Sequence, residues 1–119
     1  MDDKATIGRL RRRMARFVRQ RDWGKYHRPK NLAMSLAVEA AELMEHFQWL
    51  DHDQTDRLLG SARSRRQVAA EMADILSFLL SLANATGIDL AKAFSAKMAA
   101  NERKYPADRF RGHYRKPRK

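Results

Sequence analysis

The sequence contains no cysteine, which excludes disulfide bridges, thiolate nucleophiles and thiolate metal ligands, and leaves the redox compartment open on that ground. Its 5 glycines are scattered singly, so no Gly-rich phosphate loop is present. Long apolar runs are missing too. The longest, Ile75 to Ala85, falls well short of the roughly 20 residues needed to span a bilayer. The opening MDDKATIGRLRRR lacks the apolar stretch of a secretory signal. These absences predict a protein of the cytoplasm with no membrane association, and no internal repeat stands out.

What is present is charge and helical periodicity. With 44% hydrophobic and 33% charged residues and only 3 prolines, the 119-residue chain reads as one soluble, helical domain with a modest core. The net charge of +11 is unevenly spread. Residues 1–30 hold 11 Lys and Arg against 3 Asp and Glu, and residues 107–119 hold 6 against 1, whereas residues 31–106 hold 8 against 10. An acidic middle between two basic ends suggests a polyanionic partner, either nucleic acid or a phosphorylated small molecule.

The first helix is predicted from Thr6 to about Asp22, with Ile7, Leu10, Met14, Phe17 and Val18 on its apolar stripe. Arg9, Arg12, Arg13, Arg16 and Arg19 form the opposite face. Either solvent or an acidic partner suits that face, since the usual i to i+4 acidic neighbours are missing. In the loop DWGKYHRPKN that follows, Trp23, Tyr26 and His27 lie among Lys25, Arg28 and Lys30. Such residues can stack on a base and hold phosphate, or they can simply staple a turn. Asn31 is the expected N-cap of the next helix.

The chain is organised around Leu32 to Leu50 and Val68 to Ala83. In the first run Leu32, Leu36, Ala40, Leu43, Phe47 and Leu50 share a stripe, with Glu39, Glu42 and His46 along one margin. In the second, Val68, Met72, Ile75, Leu76, Leu79 and Ala83 share a stripe, with Glu71, Asp74 and Phe78 along one margin. Packing the two stripes together brings four carboxylates to the edge of an apolar core. Partly desolvated like charges are costly unless compensated. A hard divalent cation with oxygen ligands, Mg²⁺, meets that demand and leaves positions for water and phosphates. Glu45 lies on the opposite side of its helix and is not a predicted ligand.

Asp51, Asp53 and Asp56 read as cap and turn residues around a short helical turn at Thr55 to Leu59. Ser64 with Gln67 is a capping-box pattern for the second acidic helix, which Gly87 ends. Asp89 is expected to cap a last helix, Leu90 to Lys104, stopped by Pro106 and burying Leu90, Ala93, Phe94 and Met98. Lys97, Asn101 and Lys104 share another of its faces, suited to polyphosphate oxygens or to solvent. The expected domain is residues 1–106, with a basic, mobile tail over residues 107–119.

The pattern Glu39-x-x-Glu42, 28 intervening residues, then Glu71-x-x-Asp74 resembles the signature of the MazG-like all-α nucleoside triphosphate pyrophosphohydrolases. The likeness runs from about Trp23 to Pro106. WGKYHRPKNLAMSLAVEAAELMEHFQW, EMADILSFLLSLA and AKMAANERKYP look like conserved blocks of the dCTP pyrophosphatase branch. The resemblance implies a four-helix fold whose subunits pair, as a homodimer or homotetramer, to complete the site. It implies Mg²⁺-dependent hydrolysis of a nucleoside triphosphate, dCTP or a modified pyrimidine form, to monophosphate and pyrophosphate.

Residue by residue, the resemblance assigns Mg²⁺ to Glu39, Glu42, Glu71 and Asp74, and phosphates to Lys97 and Asn101, with Lys104 at the leaving group. Trp23, His27, Asn31 and Trp49 would form the base and sugar pocket. Phe78 stands where that branch has Tyr, which removes a hydroxyl hydrogen bond. Lys104 stands where Arg is common, which keeps the charge and loses bidentate geometry. Other substrates, dUTP or phosphoribosyl-ATP, and a basic nucleic-acid-binding module without catalysis are the competing readings.

Overall fold

The computed structural model describes residues 1–113, and among these the regular structure is entirely helical. The helices are α1 (Ile7–Gln20), α2 (Pro29–Glu45), α3 (His52–Gly60), α4 (Ala62–Thr86), α5 (Leu90–Lys104) and α6 (Ala107–Phe110). They fall into two compact units, Met1–Gly87 and a second beginning at Ile88.

In the first unit α4 is the central element, packed against α1, α2 and α3. Thr6 caps α1, its hydroxyl accepting from the Arg9 amide at 3.1 Å. The other end of α1 closes in a Schellman motif that the sequence does not advertise, because Asp22 rather than Gly takes the left-handed position, at φ +54°. Trp23 N–H donates to Val18 C=O at 3.0 Å and Asp22 N–H to Arg19 C=O at 3.1 Å. The Trp23 ring then meets Phe17 edge-on at 5.7 Å, the apolar contact that commonly accompanies this motif.

Several boundaries differ from the sequence reading. α2 starts at Pro29, whose missing N–H costs nothing at the first helical position, and Arg28 is its N-cap without a side-chain bond. Asn31 is therefore inside the helix, where its amide donates to Tyr26 C=O at 3.3 Å. α2 stops at Glu45 instead of Leu50. The chain tightens there into i to i+3 bonds, Phe47 N–H to Met44 C=O and Leu50 N–H to Phe47 C=O. Asp51 can then begin α3 with a full capping box: Gln54 N–H donates to Asp51 Oδ1 at 2.8 Å and Asp51 N–H to Gln54 Oε1 at 2.9 Å. This cap extends the expected short turn to nine residues. α4 begins at Ala62, capped by Ser61, because no helix breaker separates Ser61 from the expected start at Ser64. Gly87 ends it at φ +74°, with its N–H on Ala83 C=O.

The core is small. Leu32, Val68, Leu80 and Ala83 are buried. Leu36, Leu43, Phe47, Leu50 and Ile75 are half-buried, while Ala40, Met72, Leu76 and Leu79, expected on the core stripes, are exposed. The stripes are wider than the neighbours one chain supplies. α4 is long and apolar enough by composition to cross a membrane. It packs against α1, α2 and α3 and still leaves Met72, Leu76 and Leu79 exposed. Arg11 pins α1 to the C-terminal end of α4: its Nε donates to Asn84 Oδ1 and its Nη2 to Ala83 C=O, both at 3.0 Å, and Asn84 returns a bond to Arg11 C=O.

In the second unit Asp89 caps α5 by accepting from Lys92 N–H at 2.9 Å, and Pro106 follows its end. Of the expected core face, Phe94 is 68% exposed and Met98 is exposed as well. The single turn α6 brings Phe110 edge-on to Tyr105 at 5.1 Å. The tail expected over residues 107–119 lies outside the described residues from 114 onward.

Candidate metal and nucleotide site

The α2–α4 contact determines where the acids meet. Glu39 and Glu42 are one turn apart on α2, and Glu71 faces them from α4. One carboxylate oxygen from each can be chosen so that all three lie within 4.8 Å of one another. Asp74, a turn beyond Glu71, is exposed and stands outside that tight group, yet close enough for its charge to act on Glu39. Glu45 is exposed and outside the cluster.

The cluster lacks compensation from the protein. Glu39 Oε2 and Glu71 Oε2 are buried and have no hydrogen-bond partner. His46 Nε2 lies 3.9 Å from Glu71 Oε1, and among the described residues no Lys or Arg forms an ion pair with any of the four acids. Burial pushes the Glu39 carboxyl up to about 7; a hydrogen bond with Glu42 and the charges of Glu42, Asp74 and Glu71 act in the same direction. Converging carboxylates with orphaned buried oxygens and no cation of the protein's own fit a hard, oxygen-seeking metal ion.

Glu39 also forms part of the wall of a 410 Å³ cavity with Asn31, Met34, Ser35, Val38 and Phe78. Two residues expected from the sequence, Asn31 and Phe78, are thus brought beside the acidic cluster. Met34, Ser35 and Val38 were not singled out by sequence reasoning. Their signal is positional: residues 31, 35 and 38 recur at four and three along α2, with 34 beside them.

Trp23, His27 and Trp49, the other expected pocket residues of the first unit, are not among the residues that line this cavity. His27 lines a separate 390 Å³ cleft with Arg19, Ser81 and Asn84. Trp23 packs on Phe17, and Trp49, in the turn after α2, is 85% exposed. In the second unit Lys97 is exposed, Asn101 is half-buried and accepts through its backbone carbonyl from Tyr105 N–H, and the Lys104 ammonium lies 5.4 Å from the Tyr105 ring centre.

Comparison with known proteins gives the chain's family. The chain is 38% identical over 107 residues to dCTP pyrophosphatase 1 of Bos taurus, covering 90% of this chain. It is 38% identical over 111 residues to dCTP pyrophosphatase 1 of Homo sapiens, covering 93%. It spans 63% of the bovine and 65% of the human protein's length. The crystal structure of a pyrophosphatase from Archaeoglobus fulgidus superimposes with a TM-score of 0.73 at 44% identity, covering 78% of this chain and 85% of that one. Residues 34–116, which include all four acids, match the model of the MazG-like family, and the chain belongs to that family.

Proposed function

We propose that this protein is a Mg²⁺-dependent nucleoside triphosphate pyrophosphohydrolase acting in the cytoplasm on dCTP or a modified pyrimidine deoxynucleoside triphosphate. The observation that carries this is the convergence of Glu39, Glu42 and Glu71 within 4.8 Å, with buried oxygens of Glu39 and Glu71 lacking partners. The family and the pyrophosphatase relatives support the reaction class.

The proposal assigns Glu39, Glu42, Glu71 and Asp74 to hold the ion. A bound Mg²⁺ supplies charge neutralisation on the phosphates and a lowered pKa for a bound water. Glu39, on the wall of the 410 Å³ cavity, is assigned to orient the attacking water and take its proton. Water adds to the α phosphorus, the bond to the bridging oxygen breaks, and pyrophosphate leaves. Lys97, Asn101 and Lys104 are assigned to the phosphates on their chemistry alone. Asn31 and Phe78 border the nucleoside, with Trp23, His27 and Trp49 completing its pocket when subunits pair.

Pairing of subunits, as a dimer or tetramer, is part of the proposal. It is supported by the exposed apolar side chains of the first unit, Phe17, Met44, Met72 and Leu76 among them.

The test is a panel of deoxynucleoside triphosphates and their 5-modified forms, with dUTP and phosphoribosyl-ATP, incubated with protein and Mg²⁺. Monophosphate and pyrophosphate should appear, fastest from a cytosine nucleotide, and disappear with chelator. Release of orthophosphate and nucleoside diphosphate, or no cleavage at all, would overturn the assignment.

A further inference from the structure

α1 carries a feature that the hydrolytic site does not use. Arg9, Arg12, Arg13, Arg16 and Arg19 are all exposed, and among the described residues none of them forms an ion pair. Helical spacing puts the five within a sector of about 120°, opposite Leu10 and Met14, and over about 15 Å of helix axis. α1 itself contains no acidic residue. Arg11, which falls outside the sector, is the arginine engaged with Asn84 and Ala83 on α4.

This arrangement works against the helix that bears it. The pairs 9/12, 9/13, 12/16, 13/16 and 16/19 place like charges three or four residues apart, where each destabilises the helix. A polyanion along the face would relieve all five. A nucleoside triphosphate is too short for cations spread this far, whereas duplex DNA carries one negative charge per ~1.7 Å of its axis. An acidic protein surface fits less well. Protein interfaces mix apolar anchors with charge, and this sector holds the five arginines and Gln20 with no apolar side chain. Phosphate-backbone contact requires only the cations.

The geometry points to a second binding surface on this protein, the exposed arginine face of α1, which takes the phosphodiester backbone of nucleic acid without reading its sequence. The contact is independent of the carboxylate site.

The test uses the 119-residue chain and a fluorescein-labelled 30-base-pair duplex, with anisotropy followed from 50 to 200 mM salt. Five phosphate contacts predict a log–log slope of about −4.5, a loss of affinity of roughly 500-fold over that range, with little dependence on duplex sequence. The triple variant Arg9→Gln/Arg12→Gln/Arg16→Gln should lower the slope to about −2, weaken binding at 50 mM salt, and leave nucleotide hydrolysis and the circular dichroism spectrum unchanged. The duplex should also raise the Tm of the parent protein and not that of the variant. Absence of duplex binding at 50 mM salt would overturn the proposal. So would a variant that binds with the parent's affinity and slope, which would move the contact to the basic tail. A variant whose only defect is a raised KM for the nucleotide would assign the face to substrate instead.

Discussion

At the scale of single residues, Glu39 governs how the protein responds to pH. Its folded carboxyl titrates near 7 against an ordinary value of 4.5, chiefly through burial. Between those values the folded chain holds a proton that the unfolded chain has released. Stability of the metal-free protein therefore falls as pH rises from about 4.5 to 7, and the loss is complete above the folded value. A divalent ion held by Glu39, as proposed, would stabilise the ionised carboxylate and oppose that loss. We expect chelator-treated protein to show a falling Tm across this window, and the Tm gain on adding Mg²⁺ to be larger at pH 8 than at pH 5.5 by differential scanning fluorimetry. A Mg²⁺ effect of equal size at both values would remove Glu39 from the ion's ligands.

The acid pairs were legible as residues because their spacing of three, beside an apolar stripe, has one helical interpretation. The residues proposed to border the nucleoside were less legible. Asn31 and Phe78 border the cavity beside Glu39, whereas His27 lines a different cleft and Trp23 is engaged by Phe17. Loop residues such as Trp23 and His27 are positioned by turn closure, which hydrophobic periodicity does not encode.

At the scale of elements, the sequence specified the existence of the long helices better than their ends. Asp51, Asp89 and Gly87 were readable as caps because their side-chain or backbone chemistry suits only a terminus. The end of α1 was obscured because Asp22 does the work usually left to glycine. The tie between α1 and α4 was hidden for another reason. Helical spacing sets Arg11 apart from its five arginine neighbours on α1, but what it binds is set by the approach of Asn84, which local pattern does not encode. Arg11→Ala should cost about 1–3 kcal/mol, since it removes hydrogen bonds from a charged donor and strands the Ala83 carbonyl. A urea midpoint lowered accordingly, with turnover retained, is the expected outcome. Gly87→Ala should cost about 1–2 kcal/mol through its left-handed backbone alone, a loss readable in the same experiment.

At the scale of the whole molecule, the apolar stripes on α2 and α4 are the main discrepancy between pattern and packing. Met72, Leu76 and Leu79 belong by periodicity to a core face and are nonetheless exposed. Among the described residues only four apolar ones are buried. A core this sparse gives a 119-residue chain little stability of its own, and association that covers the exposed stripes is the remedy the proposal adopts. Light scattering after size exclusion should give a multiple of the 13.8 kDa chain mass, with activity falling on dilution below the dissociation constant. A 13.8 kDa species with full activity would contradict the requirement for pairing.

The central claim is that the α2–α4 carboxylates form a metal centre on which hydrolysis depends. Its most direct test is Mn²⁺ binding by electron paramagnetic resonance, for the parent protein and Glu71→Gln, alongside turnover of dCTP. The parent should bind Mn²⁺, and Glu71→Gln should lose ion binding and turnover together, the latter by at least ~100-fold, while its helical circular dichroism is unchanged. A Glu71→Gln protein that binds Mn²⁺ as tightly as the parent and still hydrolyses dCTP would contradict the claim.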